Sequence, residues 1–291
     1  MNYNNLFFMI KKLILGTVQF GLEYGINNLN GKPEKEDVFK ILSYAYEKGI
    51  RYLDTAESYG NTHDLIGEYH KLNSDKKFKI ITKFPHNLNE NLETKINTYL
   101  DQLVVNHLHA ILFHSLESYK NNKHQLKKNI NNIYKIGVSV YTNDQIDEVI
   151  NDKNIDIIQL PFNLFDNANL REDILNKAKS KNKIIHTRSA FLQGLFFMQN
   201  DNTNIIRRKL AKELNLLSKI STKHSITVGS LALNYCLKQP YIDGVLIGVD
   251  SLEQLKQNIL FSENKVSDSC LKDINKIKID DIELLNPSLW T

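Results

Sequence analysis

Residues 35–56 read KEDVFKILSYAYEKGIRYLDTA: a helix-length amphipathic stretch, a glycine, and a short apolar run that carries an aspartate. Val38, Ile41, Leu42 and Ala45 recur at helical spacing, so Lys35–Lys48 is expected to lay one apolar stripe on a core. Gly49 stands where a helix end favours a left-handed residue. The run Tyr52–Ala56 is too short for a helix and fits a strand.

The same unit recurs along the chain. Strand-like runs are Leu13–Val18, Tyr52–Ala56, Lys79–Lys83, Ala110–His114, Lys135–Val140, Ile155–Leu160, Ile184–Thr187 and Gly244–Ile247. Helices are expected at Lys35–Lys48, His63–Lys71, Leu92–Val105, Leu116–Asn129, Asp144–Ile150, Leu170–Ser180, Thr227–Lys238 and Leu252–Leu260, with an additional one at Ile205–His224. Thr62 and Ser251 can cap two of them. Strands that alternate with helices pair in parallel, because each return needs a crossover. Eight such units in 291 residues point to an α/β fold closed as a (β/α)8 TIM barrel. An open doubly wound sheet fits less well, since no GxGxxG follows the first strand. No Pro- or Ser-rich linker interrupts the pattern, so residues 1–291 read as a single domain. Beyond Phe261 no further βα unit follows, and Asn286-Pro287-Ser288-Leu289-Trp290-Thr291 reads as an irregular C-terminal tail.

Composition excludes several classes. A net charge of +4 is interspersed with acids and forms no basic, aromatic-interleaved patch, which argues against nucleic acid. The apolar opening Leu6–Ile10 is cut off by Lys11 and Lys12, too short for a membrane span or secretory segment. Cys236 and Cys270 form no CxxC and no metal-ligand spacing, so neither a disulfide framework nor a metal is expected, and a reducing cytoplasm fits.

Barrel active sites lie at the C-terminal ends of the strands. There the chain places Asp54, Lys83 and His114, with Tyr59 in the loop after Asp54. Strand alternation puts Asp54 with Tyr52, Lys83 with Ile81 and His114 with Leu112, all on the inward face. A lysine buried beside a carboxylate keeps its charge and eases loss of a neighbouring tyrosine's proton. Tyr59 is then a general acid, Lys83 its electrostatic support, Asp54 the anchor of Lys83, and His114 a hydrogen-bonding partner of the same carbonyl oxygen. Taken singly, each has a plain alternative: a turn cap for Asp54, packing for Tyr59, a surface site for Lys83, a satisfied core residue for His114. Their joint occurrence in strand order favours the chemistry. His63, His86, His107, His109 and His186 show no such grouping and read as structural or solvent-facing, whereas Phe20, Tyr24 and Phe84 lie near the expected mouth.

The ordered motifs Leu15-Gly16-Thr17, Leu53-Asp54-Thr55-Ala56 with Tyr59-Gly60, Thr82-Lys83, Phe113-His114-Ser115, Gly137-Val138-Ser139 and Ile158-Gln159, with the segment Ser251–Asn258, resemble the aldo-keto reductase family from Leu13 to Asn258. The resemblance implies NADPH or NADH bound without a Rossmann fold, and the catalytic roles above for Asp54, Tyr59, Lys83 and His114. It implies Ser139 and Gln159 as partners of the nicotinamide carboxamide. Thr17, Arg188, Gly248, Ser251, Gln254 and Asn258 complete the expected cofactor site.

Three positions depart from the family pattern. Val140 replaces a common Asn and cannot hydrogen-bond the carboxamide through its side chain. Arg188 aligns with a tyrosine that stacks on the nicotinamide; a guanidinium can stack too, but it disfavours the positively charged oxidised ring, or else pairs with an anionic substrate group. Asp250 lies where the family commonly has Lys or Arg for a 2′-phosphate, and would repel that phosphate or accept from a ribose hydroxyl unless Lys256 turns inward. NADPH is the family expectation and NADH stays open. The leading function is NAD(P)H-dependent reduction of a small aldehyde, ketone or sugar-like carbonyl. The alternatives are a barrel lyase or aldolase with Lys83 as Schiff base, and a non-catalytic nicotinamide-binding regulatory subunit. Oligomeric state is not written in the sequence.

Overall fold

The computed structural model describes residues 9–28, 30–126, 132–198 and 204–290. Eight parallel strands close into a barrel in chain order: β1 (Leu13–Gly16), β2 (Tyr52–Asp54), β3 (Lys79–Phe84), β4 (Ala110–Phe113), β5 (Ile136–Ser139), β6 (Ile157–Pro161), β7 (Ile184–Arg188) and β8 (Gly244–Gly248). The ring is completed where β8 pairs with β1, Gly16 opposite Gly248. Helices surround it, so the expected (β/α)8 architecture is the observed one.

Period-two alternation divides each apolar run between two cores. Leu15, Leu53, Ile80, Ile111, Val138, Ile158, Ile185 and Val245 join the large cluster shared with the helices. Ile14, Ile81, Ala110, Leu112, Ile157 and Leu246 form a second cluster that fills the barrel. Two residues further along their strands or just past them come Asp54, Lys83, His114, Ser139 and Gln159. The filled apolar layer is therefore the floor on which polar side chains converge at the C-terminal mouth.

Some boundaries differ from the sequence reading. β1 ends at Gly16 because both the amide and the hydroxyl of Thr17 turn to the Asp54 carbonyl, and Val18–Gly21 coils into a helical turn. The stretch Ile205–His224 splits into helices Ile205–Lys209 and Ala211–Lys223, with the buried Leu210 at the join. Thr62 is not a cap; Asn61 holds that place, and the Thr62 hydroxyl donates to the Tyr59 carbonyl. The expected helix Leu116–Asn129 ends at Asn122 and continues as a 3-10 turn, Lys123–Gln125. Residues 127–129 of that stretch, residues 6–8 of the apolar opening and Thr291 lie outside the described residues. The tail holds a helix, Asp268–Ile274, and 3-10 turns Ile282–Leu285 and Pro287–Leu289, and Trp290 donates its Nε1–H to the Leu284 carbonyl at 3.2 Å. No helix among the described residues is long and apolar enough to cross a membrane.

Gly67 interrupts the helix Thr62–Leu72, yet a Cβ there would stand 1.8 Å from the carbonyl oxygen of Gln102 in the helix Leu92–Leu103. Propensity alone favours alanine by about 1 kcal/mol. The clash is with backbone and reverses that sign. Gly67→Ala is expected to lose about 1–3 kcal/mol, read as a lower urea midpoint. An equal or higher midpoint would show that the two helices part at little cost.

Several histidines are packed as neutral groups. His63 sits against Thr82 Oγ1 at 2.8 Å, His109 packs edge-on against Tyr52, and His186 is buried among the inner residues of β7 and β8. Burial, first of all, pushes each down from 6.5 to about 4. Between those values the unfolded chain binds more protons than the folded one, so stability falls as pH drops from 6.5 towards 4. The urea midpoint is expected to be lower at about pH 5 than above the unfolded histidine value. His63→Gln should shrink that difference; an unchanged difference would remove His63 from the account.

Candidate active site

Lys83 and Asp54 face each other at the ends of β3 and β2, their side chains 2% and 3% exposed. The Lys83 ammonium donates to Asp54 Oδ1 in a short contact, to the Thr55 carbonyl at 3.1 Å and to the Tyr59 hydroxyl at 3.5 Å. Burial works against its charge, but Asp54 and Tyr59 outweigh burial and the Lys83 pKa is raised. The second Asp54 oxygen accepts from Gln159 Nε2 at 2.8 Å, across the barrel from β6.

Tyr59 is positioned by two glycines. A Cβ at Gly21 would lie 1.8 Å from the Tyr59 carbonyl oxygen, and Gly60, at φ +61, lets the chain turn against Gly21. Only residues without a side chain permit this approach. The Tyr59 ring meets His114 edge to face, centroids 6.1 Å apart. His114 in turn stacks on the exposed ring of His86, at 4.5 Å and 13°. Burial, and then the charge of Lys83 with lesser pushes from His86 and Arg188, lowers the His114 pKa to about 3. At neutral pH His114 is thus an uncharged imidazole with one N–H to donate.

These groups lie at the floor of a cavity of about 620 Å³. Of the residues expected to hold a cofactor, Thr17, Ser139, Gln159, Arg188, Gly248, Gln254 and Asn258 line it. Ser251 does not; it caps the helix Leu252–Glu263, its Oγ accepting from the Gln254 amide at 3.4 Å. Gln159 is half committed, since its amide nitrogen serves Asp54 and its Oε1 is buried without a partner. Val140 points into the outer core. Arg188 lies over the Tyr141 ring, 4.2 Å from its centroid, with its Nη2 buried and unpartnered. Arg171 steadies that platform: it forks onto Asp166 at 2.6 and 2.8 Å and donates to the Tyr141 carbonyl at 2.7 Å.

Lys256 does not turn inward; it pairs with Glu253 at 3.6 Å on the exposed side of its helix. Asp250 does line the cavity. Phe20 and Phe84 are core residues, but Tyr24 reaches the cavity and its hydroxyl accepts from Gln193 at 3.0 Å, joining the loops after β1 and β7. Pro287 and Ser288 bring the tail to the rim, while Trp290 is not part of the lining.

Sequence reasoning missed His86, Tyr141 and Gln19. Signals existed for two of them: Tyr141 lies two residues beyond Ser139, on the same side by alternation, and His86 follows Lys83 in the loop at the same end of the barrel. Gln19 carried none, because its place under Gly248 depends on the helical turn after β1.

The sequence model described as "Aldo/keto reductase family" matches residues 12–279. Among curated proteins, "Uncharacterized oxidoreductase YqkF" of Bacillus subtilis is 24% identical, over 86% of this chain and 90% of that protein. "Probable aldo-keto reductase 1" of Glycine max is 25% identical, over 91% and 88%. Among solved structures, the holo form of the aldo-keto reductase AKR11C1 from Bacillus halodurans superposes with a TM-score of 0.72 at 17% identity, covering 93% of this chain and 94% of that one. The putative aldo-keto reductase PA4992 of Pseudomonas aeruginosa gives a TM-score of 0.58 at 16% identity, covering 86% and 89%. Those two likenesses support the barrel, and the sequence match carries the lineage: the chain belongs to the aldo/keto reductase family and is an NAD(P)H-dependent oxidoreductase.

Proposed function

We propose that the protein reduces the carbonyl of an aldehyde, ketone or sugar-like substrate to an alcohol, with Tyr59 as the general acid. The observation that carries this reading is the Tyr59 hydroxyl at 3.5 Å from a Lys83 whose charge Asp54 secures, beside a neutral His114. A reduced nicotinamide held in the cavity would supply the hydride to the carbonyl carbon. Tyr59 gives its proton to the carbonyl oxygen, and the phenolate left behind is stabilised by the Lys83 ammonium. His114 orients the same oxygen through its N–H and does not exchange a proton with it at neutral pH.

The cavity suits a nicotinamide group. Gln19 Oε1, His114 Nδ1, Gln159 Oε1 and Arg188 Nη2 are buried and unpartnered, and all four residues line it. Unpaired buried polar atoms are costly, so a polar ligand is the natural partner. Gln159 Oε1 and Ser139 would hold the carboxamide, and Arg188 on Tyr141 would lie against the ring. The Schiff-base alternative is disfavoured, because Lys83 is a tightly bonded ammonium with a raised pKa and no free lone pair. The intact tetrad likewise favours a catalyst over a regulatory subunit. Both cysteines are buried and free, in keeping with a reducing cytoplasm.

Tyr59→Phe keeps the ring and removes the proton. Its kcat is expected to fall about 10²–10⁴-fold, with cofactor affinity in fluorescence titration unchanged. A kcat within about tenfold of wild type would exclude Tyr59 as the acid. Arg188 places a cation beside a ring that becomes positive on oxidation. Titrating both redox forms should show the wild type favouring the reduced cofactor by a larger ratio than Arg188→Tyr; an equal ratio in the two proteins would dismiss that role.

A further inference from the structure

We propose that the chain takes NADH in preference to NADPH, and that Asp250 is the residue that turns a 2′-phosphate away; this rests on the reductase reading above. The cavity runs from Lys83 at the barrel floor to the β8 loop and the helix Leu252–Glu263, where Gly248, Asp250, Gln254, Gln257 and Asn258 line it. A dinucleotide whose nicotinamide reaches Tyr59 extends its adenosine half along this arm.

The two cofactors differ by one phosphate on the adenosine ribose, a group close to dianionic at neutral pH. Holding it takes a guanidinium, an ammonium or free backbone donors. Among the described residues the arm offers none of the cations. The Lys and Arg side chains that line the cavity are Lys83, bonded to Asp54, and Arg188, stacked on Tyr141 beside β7. Lys256 belongs to the same helix but is paired with Glu253 on its exposed face. At the helix N-terminus, which often greets phosphate, the Gln254 N–H is already spent on Ser251 Oγ, and just ahead of the helix the Asp250 N–H is spent on Gln254 Oε1 at 3.0 Å.

What the arm presents is the carboxylate of Asp250, 8% exposed. Asn30 reaches one of its oxygens at 3.5 Å from the loop after β1, and the other is left to accept from a ribose hydroxyl. A carboxylate accepts well from hydroxyl groups and repels a phosphate at the same spot. NADH satisfies it, and NADPH does not.

Fluorescence titration of the full chain with NADH and with NADPH tests this, using wild type, Asp250→Asn and Asp250→Ser, each first checked for native circular dichroism. Wild type is expected to bind NADH at least about tenfold more tightly. Asp250→Asn, which keeps the shape and removes the charge, should narrow the ratio mainly by improving NADPH binding, and Asp250→Ser should narrow it similarly. Equal or tighter NADPH binding by wild type overturns the proposal and leaves the reductase reading intact. A wild-type preference for NADH that neither substitution narrows overturns the role of Asp250. Binding of neither cofactor overturns the reductase reading itself, and this proposal with it.

Discussion

Two opposite charges, on Lys83 and Asp54, sit almost wholly out of water at the adjoining ends of β3 and β2. Moving each ion into such a place costs several kcal/mol, and their attraction offsets this only when every remaining hydrogen-bonding position is filled. Here they are filled from neighbouring elements. Gln159 reaches in from β6 to the second Asp54 oxygen, the Thr55 carbonyl and the Tyr59 hydroxyl accept from Lys83, and Thr17, just past β1, ties down the backbone carbonyl of Asp54. Removing one member of such a pair leaves the other stranded, at a typical cost of about 3–5 kcal/mol. The pair is therefore both the charged neighbour of Tyr59 and the knot that holds the barrel mouth in register. Tyr59 gains its electrostatic environment from that knot. Its position comes from a separate device, the glycine-to-glycine contact of Gly21 with the Tyr59–Gly60 turn.

The barrel was legible because its determinants are local. An apolar run followed by an amphipathic stretch needs no knowledge of partners, and eight of them in a row leave few closed arrangements. The convergence of Asp54, Lys83 and His114 was legible for the same reason: alternation within each strand decides which residues face inward, and the C-terminal end decides which of those are open to ligand. The helix boundaries that failed did so where tertiary contacts override periodicity. Leu210 fits the helical pattern of Ile205–His224, yet it turns into the core and breaks the helix there. Thr62 has the chemistry of a cap, but the close approach at Gly21 diverts its hydroxyl to Tyr59.

Contacts between distant strands were not legible. Gln159 and Asp54 are 105 residues apart, and nothing near either one announces that the amide nitrogen is already engaged. The stacking of Arg188 on Tyr141 joins the end of β7 to the loop after β5, and the Arg171–Asp166 fork that steadies Tyr141 comes from beyond β6. Each of these is fixed by barrel closure. Their consequence is chemical: Gln159 keeps a single free acceptor, and Arg188 keeps a donor that no protein atom answers.

The two halves of the cavity are consequently under different constraints. The inner half is built from residues within or directly after β2, β3, β4 and β6, where a shift of one residue would turn a charged side chain into the apolar core. Its chemistry is locked to the fold. The other half is built from side chains at the rim, Arg188, Asp250 and Gln254, whose backbone is already placed by β7, β8 and the capped helix Leu252–Glu263. A substitution there alters charge without disturbing strand register. The floor of the cavity carries positive charge that is only partly neutralised, on Lys83 and Arg188, while its outer arm carries a carboxylate. A ligand that spans both must be electron-rich at the inner end and offer hydroxyl donors at the outer one. That polarity, more than the volume, is what the chain imposes on the molecule it holds.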